Sequence, residues 1–157
     1  TMDPFFEPVS RLVTALHEER GLRDLRAYYF HNCIYDHVYT DAGLWRRDAL
    51  PTGDILRRFD ERWKVVIVGD AAMHPAELME PWGNINPRQE TQTPGIQWLA
   101  RIAEHFHRGV WINPDPPRSW SHTRTVQVIR RLFPMFHLSV DGVHDAIAAL
   151  VGARVQH

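Results

Sequence analysis

Asp70 is the residue of this chain best placed by its neighbours to do chemistry. It closes the segment Trp63-Lys64-Val65-Val66-Ile67-Val68-Gly69-Asp70-Ala71, a continuous apolar run rich in β-branched residues that ends on Gly-Asp. A run without polar alternation predicts a strand buried on both faces, as in a parallel sheet covered by helices. A carboxylate just past the carboxyl end of such a strand sits where open α/β sheets bind their ligands. Gly69 is expected to turn the backbone sharply and leave Asp70 facing that crevice, a natural place for a hard cation. The competing expectation is that Asp70 caps the following helix.

Other residues suggest weaker chemistry. Ten histidines raise a transition-metal or hydrolytic centre, with His31, His37, His105 and His107 as its members. No His-Glu-x-x-His pattern accompanies them, and His105-Phe106-His107 falls at a helix end, so local hydrogen bonding accounts for each. Asp36 and His37 fall on an expected edge strand, where exposure to solvent explains them. Cys33 carries no signal of thiolate activation and reads as a small buried apolar residue. The pairs Arg46-Arg47, Arg57-Arg58 and Arg130-Arg131 read as solvated faces.

Composition bounds the setting. A chain of 157 residues is long enough for one sizeable core, and 44% hydrophobic with 24% charged residues is the usual balance of a globular domain. A formal net charge of -1 gives no reason to expect a nucleic-acid or acidic-membrane partner. The single cysteine excludes an internal disulfide and a cysteine metal cluster. With no bilayer-spanning run and no signal-peptide pattern, a cytoplasmic location is expected.

The elements that must position these residues follow in order. Asp3-Pro4 opens a helix on which Phe5, Phe6, Val9, Leu12, Val13 and Leu16 recur at helical spacing, and Gly21 stops it. Leu25 to His31 and Ile34 to Tyr39 read as two strands, and the short link at Asn32-Cys33 makes them an antiparallel pair with the second at an edge. Thr52-Gly53-Asp54 begins a helix that buries Ile55, Leu56 and Phe59. After the Val65–Val68 strand and a long loop come a helix from about Pro94 to Phe106 and a strand at Gly109–Asn113. A helix over Thr123–Phe133, a strand at Phe136–Val140 and a helix over Val143–Val151 complete the chain. Alternating strands and helices predict one α/β domain over residues 1–157. Its sheet is expected to be doubly wound and mostly parallel, with one antiparallel edge strand and helices on both faces. Because Thr1 abuts a helix cap, the strand that normally feeds the first helix of such a sheet is expected to be missing, as in an N-terminally truncated domain. A gap or exposed edge between Leu25–His31 and Val65–Val68 would follow.

Two long loops leave the carboxyl ends of expected parallel strands, from Pro75 to Thr93 and from Pro114 to His122. Loops of this length in a compact domain are commonly functional. Trp82 and Trp120, each in a Pro-stiffened setting, are expected to offer rigid contact area to a partner. Alternatively, both pack down over helix ends.

Three segments also carry a family resemblance. Tyr28-Tyr29-Phe30-His31-Asn32-Cys33-Ile34-Tyr35-Asp36, Val66-Ile67-Val68-Gly69-Asp70-Ala71-Ala72-Met73 and Val110-Trp111-Ile112-Asn113-Pro114 resemble a bacterial von Willebrand factor A (vWA) domain of the CoxE-like group. The resemblance implies a Rossmann-like sheet with a metal-ion-dependent adhesion site (MIDAS) at its carboxyl edge. In that site Thr1, before Met2, would be the last hydroxyl ligand of the first loop, whose leading Asp would lie upstream of residue 1. Thr52 resembles the second-loop Thr, which otherwise reads as an N-cap, and Asp70 resembles the third-loop Asp. Two hydroxyls and one carboxylate are hard ligands that suit Mg²⁺ or Mn²⁺, with weak affinity expected without the leading Asp.

The function so implied is non-catalytic, metal-assisted protein binding, in which an acidic side chain of the partner completes the ion's coordination. The resemblance further implies work beside a MoxR-type AAA+ ATPase in metalloenzyme maturation or complex remodelling, as with carbon monoxide dehydrogenase. The rival reading is a metal-dependent hydrolase using Asp70 with His31 or His74 as base, for which the sequence offers no converging set. A flavodoxin-like nucleotide binder would need a glycine-rich phosphate loop, which is absent.

Overall fold

Residues 11, 12, 14, 18, 24–82 and 92–152 are described by the computed structural model. In chain order they form β1 (His37–Tyr39), β2 (Ala49–Pro51), α1 (Thr52–Arg58), β3 (Val65–Val68), α2 (Pro75–Met79) and α3 (Gly95–His105). There follow β4 (Gly109–Asn113), a 3-10 turn (Pro117–His122), α4 (Arg124–Arg130), β5 (Met135–His137) and α5 (Val140–Val151). No helix among them is long and apolar enough to cross a membrane.

The parallel sheet expected from the apolar runs is present as β3-β4-β5 in sequential order. Its register sets Val66 beside Val110, Val68 beside Ile112 and Ile112 beside Phe136, and on the other face Ile67 beside Trp111 and Trp111 beside Met135. Because successive strand residues point to opposite faces, each row enters a different core. Ile67 and Trp111 pack with Trp98, Leu99 and Ile102 of α3, Val126 and Ile129 of α4, and Leu78 of α2. Val110 and Ile112 pack instead with Ala146 and Leu150 of α5 and with the helical residue Leu12. Helices on both faces explain why β3 and β4 read as unbroken apolar runs. Leu12 is the described member of the apolar set expected for the first helix; the others, from Phe5 to Leu16, lie outside the described residues, as does Gly21.

The antiparallel part differs from expectation. The ribbon is made by β1 and β2, with Val38 opposite Leu50, and it stands apart from the parallel sheet instead of forming its edge. Leu25 to His31 is not a strand. It touches β1 through one bridge, in which Tyr29 and Tyr39 exchange N–H···O bonds of 2.7 and 2.9 Å. The pairing ends because Asn32 adopts φ 60 and Cys33 N–H donates to His31 O at 2.7 Å, a three-residue turn that breaks the ladder. Among the described strands β3 has β4 as its one hydrogen-bonded neighbour, so the sheet shows no reversal of strand order.

Element ends follow their caps. Ser139 accepts from Gly142 N–H at 3.1 Å and starts α5 at Val140. The expected strand to Val140 therefore stops at His137, and α5 begins three residues before Val143. Gly152, at φ 77, ends it in the left-handed conformation that favours glycine.

Candidate functional site

The carboxyl edge of the sheet carries the loop that follows β3. Asp70 is exposed there, and its Oδ1 accepts from the Ala72 N–H at 2.9 Å. The backbone bends at Gly69, as expected, and Ala71 two residues on adopts the left-handed region at φ 59. Asp70 does not cap a helix: α2 begins five residues later and His74 is its N-cap. Among the described residues no hydrogen bond or ion pair reaches Asp70 Oδ2.

Four bonds fasten the backbone of this loop to buried side chains. Trp111 Nε1 donates to Gly69 O at 2.7 Å, and Asn113 Nδ2 donates to Asp70 O at 2.9 Å. Thr125 Oγ1 donates to Ala71 O at 2.7 Å and accepts from Met73 N–H at 3.3 Å. Trp111, Asn113 and Thr125 are each at most 2% exposed. Asn113 also accepts from Asp115 N–H at 2.8 Å, so one amide side chain holds the loops after β3 and β4 together. The Asp70 backbone is therefore fixed while its carboxylate stays in solvent.

Thr1 is outside the described residues. Thr52 is the first residue of α1, and its cap position is held by Pro51, so it is not an N-cap. Only 2% of Thr52 is exposed; its N–H donates to Asp36 O at 2.8 Å and its hydroxyl to Tyr35 O at 2.5 Å. That pairing ties α1 to the segment before β1. Of the two expected ligands that are described, Asp70 is the one with an oxygen open to an ion, and no group of three or more His, Cys, Asp or Glu able to hold a metal occurs among the described residues. Mg²⁺ retains several waters and is commonly held through one or two carboxylates.

A buried polar cluster beside the β3 loop was not foreseen. Glu77, 4% exposed, accepts from Asn32 Nδ2 and from His74 N–H, both at 3.0 Å. Tyr35 OH donates to Glu77 O at 3.1 Å, and His74 Nδ1 accepts from Ala76 N–H at 3.2 Å. Together these form a reciprocal cap on α2 that also pins the left-handed Asn32. The signal was in the sequence: His74-Pro75-Ala76-Glu77 has a capping residue, a proline at the first helical position and a glutamate at the third. Burial pushes the neighbouring Cys33 thiol up to about 12, with the Glu77 carboxylate adding to the rise, so the thiol is inert as expected. Burial, with Cys33 and Glu77 nearby, raises Tyr35 as well.

Three further placements correct or refine the expectations. Asp36 is half-buried, accepting from Trp98 Nε1 at 2.7 Å and from Gln92 N–H at 3.0 Å, and so is an anchor for α3, not a solvated edge residue. Trp82 is 58% exposed, whereas Trp120 is 5% exposed and donates from Nε1 to Asp115 O at 3.0 Å. Trp120 therefore belongs to the core and offers no ring to a partner. His105 bonds the Phe59 carbonyl at 2.5 Å, while His31, His37 and His107 are exposed. No family model, no curated protein and no solved structure matches the chain.

Proposed function

We propose that this chain is a non-catalytic protein-binding domain that engages its partner at the carboxyl edge of the parallel sheet, with Asp70 as its central contact. The observation that carries the reading is the contrast at Asp70, a solvent-facing carboxylate on a backbone held by Trp111, Asn113 and Thr125. A fixed charged group on a rigid support is suited to recognition, because little ordering accompanies binding. Mg²⁺ or Mn²⁺ would meet Asp70 Oδ2 and leave positions for an acidic side chain of the partner, as the vWA resemblance implies. A MoxR-type AAA+ ATPase is the partner class that the resemblance suggests. Two candidate groups for hydrolysis are engaged otherwise, which supports binding: burial keeps the Cys33 thiol protonated, and His74 Nδ1 is committed to its cap.

Titration calorimetry with Mg²⁺ tests the ion. The wild-type chain should bind weakly and the Asp70→Ala variant not at all. Equal affinity in both would sink the assignment of Asp70 to an ion.

A further inference from the structure

The charges of this chain are unevenly distributed. Between Pro116 and Val140 there are four arginines and no Asp or Glu. Of the 18 Lys and Arg, the other 14 are set against all 19 Asp and Glu, so the remainder of the chain carries a net charge of -5. Arg118, Arg124, Arg130 and Arg131 are all exposed, as are His122 and Gln127.

The fold gathers part of this charge on one face. Thr125, Val126 and Ile129 are the buried side of α4. At 100° per residue, Arg124, Gln127 and Arg131 fall within about 60° of one another and opposite that buried side. Arg124 and Arg131 are separated by about 10 Å along the axis, the length of two helical turns. Arg130 is braced on the flank, its guanidinium 5.3 Å from the centre of the Trp120 ring.

Gln127 donates to the Ser121 carbonyl and Arg130 stacks on Trp120, but no acidic side chain balances the charge of this face among the described residues. Elsewhere four arginines have an acidic partner, Arg26 with Asp24, Arg47 with Asp48, Arg57 with Asp54 and Arg62 with Asp60, while Arg46, Arg58, Arg101 and Arg108 stand singly or in mixed surroundings without an ion pair among the described residues. Among the described residues none of the four arginines between Pro116 and Val140 makes an ion pair. Arg124 stands in the first turn of α4, where a cation opposes the helix dipole. The helix would be more stable with an acid there.

We infer that the outer face of α4, centred on Arg124 and Arg131 and flanked by Arg130, docks an acidic protein segment. This deepens the protein-binding reading by naming the partner's chemistry and rests on it, but not on the ion at Asp70. A protein segment fits better than a nucleic acid for two reasons. The net charge of -5 outside this stretch would repel a long polyanion that outran the face. The aromatic ring inside it, Trp120, is buried, so no base can stack there. Carboxylates two helical turns apart, or about three residues apart in an extended chain, match the spacing of Arg124 and Arg131.

Fluorescence anisotropy with a labelled oligoglutamate peptide tests this, in low salt with EDTA so that no divalent ion contributes. Binding should weaken as salt rises and fall about tenfold in Arg124→Ala/Arg131→Ala, about threefold for each exposed charge contact. The equally charged control Arg57→Ala/Arg62→Ala should stay within about twofold of wild type. Asp70→Ala should bind the peptide as the wild type does, which separates this face from the ion. No binding by the wild type, or equal losses in the two double variants, would overturn the inference. So would tighter binding of an oligothymidylate that depends on the same two arginines, which would make the face a nucleic-acid surface.

Discussion

Asn113→Ala should be among the most costly polar substitutions in this chain. The side chain is fully buried, donates to Asp70 O at 2.9 Å and accepts from Asp115 N–H at 2.8 Å. Alanine leaves both backbone groups without their partner. Asp70 is exposed and Asp115 half-buried, so water can reach part of each group and the loss is near the low end, about 1 kcal/mol apiece. The vacated amide volume adds about 1 kcal/mol. The expected total is about 3 kcal/mol, or a fall in Tm of about 6 to 12 °C for a domain of this size. Urea unfolding followed by tryptophan fluorescence, with calorimetry for Tm, measures it. Asn113→Asp sharpens the test, since it keeps the acceptor for Asp115 but sets a carboxylate oxygen against the Asp70 carbonyl. Burial beside that oxygen raises the introduced carboxyl above its unfolded value, so the penalty is full at neutral pH and shrinks as pH falls through the raised value. A loss under about 0.5 kcal/mol for Asn113→Ala, the size of an ordinary surface change, would refute the reasoning.

Gly95→Ala should destabilise by about 1 to 3 kcal/mol, because the added Cβ would lie 2.6 Å from Cys33 Sγ; chemical denaturation of the double variant with Cys33→Ala should recover much of the loss. Trp120→Ala should cost about 3 to 5 kcal/mol as a core truncation, while Trp82→Ala stays within about 0.5 kcal/mol, a contrast that thermal melts read directly. Stability should fall as pH rises above 9 and keep falling to about 12, because the folded chain keeps the Cys33 proton that the unfolded thiol releases near 9. The raised Tyr35 acts in the same direction, and Cys33→Ala should flatten the thiol's share in pH-dependent unfolding curves.

The parallel core was legible because burial on both faces writes itself as an unbroken apolar run: Val65–Val68 and Gly109–Asn113 stand where the runs place them. Helix α3 was legible from the spacing of Trp98, Leu99 and Ile102. The region before β3 was not, because Tyr28, Tyr29 and Phe30 favour strand by type while their fate is set by a distant partner. Asn32 is drawn to Glu77, 45 positions away, and the turn it makes ends the pairing. No local period carries that information. Helix α2 escaped notice for another reason, since five residues are too few to show a 3.6-residue repeat. Thr52 and Trp120 show the same limit at the candidate site. Residue type proposed their chemistry, but burial decided it, and burial is a property of what folds over them.

The bonds from Trp111, Asn113 and Thr125 to the β3 loop bear on kinetics as well as on geometry. A loop that must be recruited from many conformations delays its partner, because each encounter finds it misarranged. Here the Asp70 backbone is already in place, so association at this edge should run at the rate of oriented collision. Differences between partners should then appear in how long each stays bound. The Met73 amide, whose N–H is held by the buried Thr125 hydroxyl, should exchange with solvent slowly for a surface turn, and hydrogen exchange would show it opening only with the helix that holds it.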